Sequence, residues 1–191
     1  MPPTRSTFPK SRTALLIIDV INPLDFPGGE AFGRRAVRTA RSIARLAERA
    51  RKAGVPVVFV NDNFGRWRSD MQALVKFVSG PGSAGRPLVE ALQPEERDFV
   101  VLKSTLSGFY QTPLEAMLRQ GNVTTVVMTG FLTGNCVLFT SVDAYMRDFK
   151  VVVPSDCALD LTREKHQDAL AQMADVLKAR VAASRGLALR K

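Results

Sequence analysis

Five short apolar runs, separated by longer segments with helical spacing, constrain this chain more than any other feature. They are ALLIID (14–19), VPVVFVND (55–62), DFVVLK (98–103), VTTVVMTG (123–130) and KVVVPSD (150–156). Each is too short for a helix, rich in β-branched residues, and apolar at consecutive positions rather than at alternate ones. A strand of that texture is covered on both faces, which is the mark of a parallel sheet. Between the runs, segments 34–53, 67–78, 111–120, 136–148 and 163–183 carry apolar residues at helical spacing. With right-handed crossovers, the alternation predicts an α/β fold: a three-layer α/β/α sandwich around a mainly parallel, doubly wound sheet of five or six strands.

With 191 residues and 46% apolar composition, the chain can bury a substantial core, and we expect a single domain over 13–191. Residues 1–12 read as a flexible lead that is basic but has no apolar stretch of the secretory kind. No apolar run approaches the roughly 18 residues that span a bilayer, so a cytoplasmic protein without a membrane partner is expected. Cys136 and Cys157 have no C-x-x-C spacing and read as free thiols. His166 is the one histidine, which rules out any site drawing two imidazoles from one chain. Neither a histidine-bound metal nor any cofactor is expected.

The net charge is +9, and much of it lies in GRRAVRTARSIARLAERARKAG. On a helix, Arg34, Arg38, Arg41, Arg45, Arg49 and Lys52 form one stripe opposite Val37, Ala40, Ile43, Ala44, Ala47 and Ala50. This is the pattern of a solvated outer face. No aromatic interleaving accompanies it, so nucleic acid is not an expected partner. The segment SGPGSAGRP (79–87) is punctuated by glycine and proline and reads as a mobile surface loop, either a lid or a connection.

Ligands of open parallel sheets sit outside the carboxyl ends of the strands. The residues there are Asp19, Asn61–Asp62, Lys103, Gly130 with the Cys136 turn, and Ser155–Asp156. A carboxylate, an ammonium and a thiol can thus converge on one crevice. Cys136 opens a helix-like segment, whose N-terminal dipole and a nearby Lys103 both favour a thiolate. Asp19 can take the thiol proton and return it to a leaving amine. Taken singly, each residue also has a structural role: Asp19 as a turn former, Lys103 as a solvated strand end, Cys136 as a small apolar filler.

The segments ALLIIDVINPL, VVLKSTLSGFYQTPLEAMLRQGNV and VVMTGFLTGNCV, followed by VDAYMRDFKVVVPSDCALD, resemble those of the isochorismatase-like cysteine hydrolases. The resemblance runs from about residue 12 to residue 180. It implies Asp19, Lys103 and Cys136 as catalytic residues, a cis peptide at Phe131–Leu132, and an oxyanion hole from the N–H groups of Leu132 and Cys136. It also implies a homo-oligomer. Nicotinamidases of this family bind a metal through an Asp and histidines after the second strand. Here VNDNFGRWRSD offers Asp62 and no histidine, so no metal is expected. Asn61, Asn63, Phe64 and Trp67 stand where a substrate would be bounded, although Phe64 and Trp67 also suit loop anchors. Tyr110 and Phe109 suit either the pocket or a subunit interface.

Three functions compete at this level. The first is a metal-independent hydrolase cleaving a C–N bond of a small amide, ureido or carbamoyl compound through a Cys136 thioester. The second is vinyl-ether hydrolysis by Asp19, with Cys136 dispensable. The third is a catalytically silent α/β binding module, for which a Cys136 thiol reacting only near the ordinary pKa of about 8.5 is the signature.

Overall fold

The computed structural model describes residues 7–191. Its strands are β1 (Thr13–Ile18), β2 (Val57–Asp62), β3 (Phe99–Lys103), β4 (Thr125–Phe131), β5 (Lys150–Pro154), β6 (Ala158–Leu159) and β7 (Arg180–Ala182). The helices are α1 (Gly29–Lys52), α2 (Met71–Val78), α3 (Arg86–Ala91), α4 (Leu114–Gln120), α5 (Leu138–Tyr145) and α6 (Arg163–Val176). All strand pairs are parallel. Their order is β3-β2-β1-β4-β5-β7, with β6 beside the far end of β4.

The apolar runs become strands because each supplies both layers of the core. Leu15, Ile17, Val57, Phe59 and Val127 pack under α1, α2 and α3. Their alternates Leu16, Ile18, Val58, Val60 and Met128 pack under α4, α5 and α6. Each such side chain contributes about 1.5–3 kcal/mol on burial. The α1 stripe faces solvent at Arg34, Arg38, Arg41, Arg45 and Lys52. Arg49 is also exposed, but donates to the carbonyls of Ser184 and Leu187 and so pins the C-terminal segment.

Three expectations are revised. The sheet has seven strands rather than five or six, because two strands of two and three residues are added at one side. The flexible lead falls partly outside the described residues, but Phe8 is 5% exposed. Its ring lies 4.6 Å from that of Phe99, so the chain is fixed to the body from Phe8 rather than from residue 13. The segment 79–87 is not wholly open loop: α3 begins at Arg86, and a Cβ at Gly85 would meet the Asn22 carbonyl oxygen at 2.0 Å. That end of the segment is wedged against the chain following β1.

One glycine sets the height of the site. Gly130 pairs with Ile18 and has φ 117°, and a Cβ there would stand 1.9 Å from the Ile18 carbonyl oxygen. Only glycine lets β4 stay beside β1 up to the level at which Asp19 leaves the sheet.

Candidate active site

Asp19, Lys103 and Cys136 meet at the carboxyl edge of the sheet. Asp19 follows β1 with φ 53°, its N–H donating to the Val60 carbonyl at 3.0 Å. Lys103 ends β3, two strands away from β1, and its side chain reaches across the end of β2. The lysine Nζ lies 2.8 Å from Asp19 Oδ2, 2.9 Å from the Thr105 carbonyl and 3.6 Å from Cys136 Sγ. An ammonium has three protons to give, and these three acceptors use them. The other Asp19 oxygen accepts the Asp62 N–H at 2.6 Å. The Cys136 thiol and the Asp19 carboxylate thus share one ammonium, and the carboxylate pushes the thiol's pKa up.

Charge balance follows from burial. The side chain of Lys103 is 0% exposed and that of Asp19 is 7% exposed. Burial pushes the Asp19 carboxyl up, against the lowering pull of Lys103 and Cys136. Burial pulls the other way on Lys103, but the surrounding negative groups, Asp19 first, raise it. Burial and the Asp19 carboxylate push the Cys136 thiol up to about 12. Helix start and lysine favour a thiolate in the sequence; in the structure partial burial beside the Asp19 carboxylate acts the other way and prevails. At neutral pH the thiol rests protonated beside the Asp19 carboxylate, so its alkylation against pH does not separate a hydrolase from a silent module.

Cys136 itself stands in a tight turn, Thr133–Val137, whose irregularity is concentrated at Asn135 (φ −127°, ψ −106°). The Phe131–Leu132 peptide preceding it is cis. Two side chains from beyond β6 brace the turn: Asp160 accepts the Gly134 N–H at 2.7 Å, and His166 Nδ1 lies 2.7 Å from Thr133 Oγ1. Neither residue stands out as a brace in the sequence; an Asp three residues after Cys157, beside a helix start, is the signal that points to one.

The substrate-facing set changes. Asn61 is fully buried and does not reach the crevice. Its amide oxygen accepts the Ile21 N–H at 3.0 Å and its amide nitrogen donates to the Ile21 carbonyl at 2.9 Å, so it clamps the turn that follows Asp19. Phe64 is half-buried in the left-handed region (φ 49°), its N–H held by Asp62 Oδ1. Trp67 and Tyr110 are 77% and 54% exposed, so neither is buried beside Asp19, Lys103 and Cys136 in a single chain. The second oxygen of Asp62 is 3.7 Å from Lys103 Nζ. Among the described residues no group of three or more His, Cys, Asp or Glu is placed to hold a metal.

The sequence matches the model of the isochorismatase domain over residues 13–184. The chain belongs to the isochorismatase-like hydrolase family. An uncharacterized isochorismatase family protein of Bacillus subtilis, YaaI, is 32% identical over 90% of this chain and 94% of its own length. A ureidoacrylate amidohydrolase of Methylobacterium radiotolerans is 34% identical over 84% of this chain and 72% of its own. The crystal structure of N-carbamoylsarcosine amidase from Thermoplasma acidophilum superposes with a TM-score of 0.70 at 26% identity, covering 92% of this chain and 98% of that one. No helix among the described residues of this family member is long and apolar enough to cross a membrane.

Proposed function

We propose that the protein is a metal-independent cysteine hydrolase that cleaves a C–N bond of a small amide, ureido or carbamoyl compound. The observation that carries this reading is Lys103 Nζ lying between Asp19 and Cys136, at 2.8 and 3.6 Å, which brings carboxylate, ammonium and thiol into one cluster. Asp19 takes the thiol proton as Cys136 Sγ attacks the substrate carbonyl carbon. The N–H groups of Leu132 and Cys136 receive the developing oxyanion. Asp19 then gives its proton to the departing nitrogen, the C–N bond breaks, and a thioester remains on Cys136. Water attacks the thioester as Asp19 takes its proton. The carboxylic product leaves, and the thiol recovers that proton. Throughout, the Lys103 ammonium holds Asp19 in place and offsets its charge.

The amide and ureido chemistry named in the ureidoacrylate and carbamoylsarcosine relatives supports this class of bond. Incubation with small primary amides, ureides and carbamoyl compounds is expected to release ammonia from at least one class. Absence of release across all three, with an enol ether cleaved instead, rejects the proposal in favour of acid catalysis by Asp19.

We place the protein in the cytoplasm as a homo-oligomer. Trp67, Tyr110 and Phe139, on segments that follow the carboxyl ends of β2, β3 and β4, are 77%, 54% and 47% exposed. A second copy covering them would bury apolar surface close to the crevice. Light scattering is expected to give at least twice the monomer mass; a monomeric mass rejects the assembly.

A further inference from the structure

The opposite edge of the sheet carries a second feature. β1, β4, β5 and β7 are parallel neighbours, so their first residues open on the edge away from Cys136. Arg12 precedes β1, Lys150 opens β5 and Arg180 opens β7. A cavity of about 400 Å³ lies there, lined by these three with Arg190 and Lys191 of the C-terminal segment, and by the hydroxyl residues Thr13, Thr124 and Thr125. No acidic residue lines it.

All five cationic residues are exposed. Among the described residues none of their side chains forms an ion pair. Arg51 pairs with Glu95 and Asp98, and Arg147 with Glu115 and Asp143, whereas these five, like the arginines of the α1 stripe, have no carboxylate partner among the described residues. Here five cations line one concavity that no acidic side chain lines. With strands about 4.8 Å apart, the origins of Arg12 and Lys150, two strands apart, stand roughly 10 Å from each other, within converging reach of their long side chains. Such a ledge matches a chain of phosphates, each able to accept several charge-assisted hydrogen bonds.

The cavity continues into a second hollow of about 790 Å³ that shares Thr125, Lys150, Val152 and Arg180 with it. That hollow adds Tyr145, Met146, Phe149 and Leu177, and its one acidic lining residue is Asp148. Tyr145 and Met146 are 45% and 65% exposed. A cationic ledge thus adjoins an apolar wall with an aromatic ring.

We infer that this amino edge binds a multiply charged, phosphate-bearing small molecule, its phosphates on Arg12, Lys150 and Arg180. The site is separate from the Cys136 crevice and does not depend on the reaction proposed for it. Calorimetric titration at about 150 mM salt, where surface attraction is screened, with inorganic tripolyphosphate and with metal-free ATP, tests it. Both probes are expected to bind, and Lys150→Gln/Arg180→Gln to weaken both at least about ten-fold. ATP binding more tightly than tripolyphosphate, with the difference abolished by Tyr145→Ala, identifies the ligand as an aromatic phosphate; equal affinities identify a bare polyphosphate. The α1 double variant Arg38→Gln/Arg41→Gln serves as the control and is expected to bind as the parent does. No heat with either probe overturns the inference, as does an equal loss in the α1 variant, which assigns binding to net charge alone.

Discussion

Cys136→Ala is expected to abolish ammonia release, by about ten-thousand-fold or more, while leaving stability at neutral pH within about 1 kcal/mol of the parent. The two readouts separate because the side chain is half-buried and small, so its removal costs little packing, whereas no other thiol is in reach. The only other cysteine, Cys157, is fully buried and free. Retained ammonia release would give the chemistry to Asp19 without a covalent intermediate. A pH signature accompanies the loss. The Cys136 and Cys157 thiols are both raised from 9.0 to about 12, chiefly by burial. Between those values the folded chain binds more protons than the unfolded one. The stability this confers is fully present below pH 9.0 and is lost as pH climbs toward 12. Removing Cys136 takes away its share, so the variant's melting temperature falls less steeply above pH 9.0, while Cys157 keeps the remainder. An unchanged alkaline slope would mean that Cys136 is no harder to ionise in the fold than out of it.

What could be read beforehand is what local pattern records. A strand buried on both faces must be apolar at successive positions, so β1 to β5 are visible as runs, and the polar residues ending them, Asp19 and Lys103, are visible by contrast. β6 has two residues and β7 three, too few for any period to declare itself. The last helix is predicted from sequence through to 183, since Leu177 and Val181 continue the i, i+4 spacing of Ala169 and Met173. It stops at Val176, and Lys178 turns the chain at φ 52° into β7. Phe8 looks like part of a loose basic lead, since its partner Phe99 is supplied by a strand far along the chain. Asn61 stands in sequence where a substrate would be bounded, but its partner, the Ile21 backbone, belongs to a different loop that local pattern does not reveal. The sign of the Cys136 shift is not legible in sequence for a related reason. Sequence shows which charges are near in kind, but the extent to which water is excluded from them is a property of the packed site.

Lys103→Met is expected to destabilise the fold by about 3–5 kcal/mol, because it strands the Asp19 carboxylate in the interior without its counter-ion. For a chain of this size the loss corresponds to roughly 10 °C in melting temperature. The lysine side chain is 0% exposed and its ammonium is 2.8 Å from Asp19, so solvent cannot take its place. Removing both charges, as Asp19→Asn/Lys103→Met, is expected to recover part of the loss, since two neutral side chains leave no buried ion uncompensated. The pH dependence fixes the cause. The Asp19 carboxyl is already raised by burial, and loss of Lys103 removes the strongest influence lowering it. In the variant the folded state therefore favours the protonated carboxyl, and a group raised in this sense confers stability that is present at low pH and lost as pH rises. The gap between variant and parent should narrow on acidification toward pH 5. At the alkaline end the parent loses what Lys103 contributes as pH rises past 10.5 through the raised value of the folded state, a loss the variant cannot show. A variant melting within about 2 °C of the parent at neutral pH would mean that water enters the site and that Asp19 and Lys103 are not held as a dry pair. A protonated Asp19 also cannot accept the thiol proton, so the same substitution should silence hydrolysis at neutral pH even at temperatures where the variant remains folded.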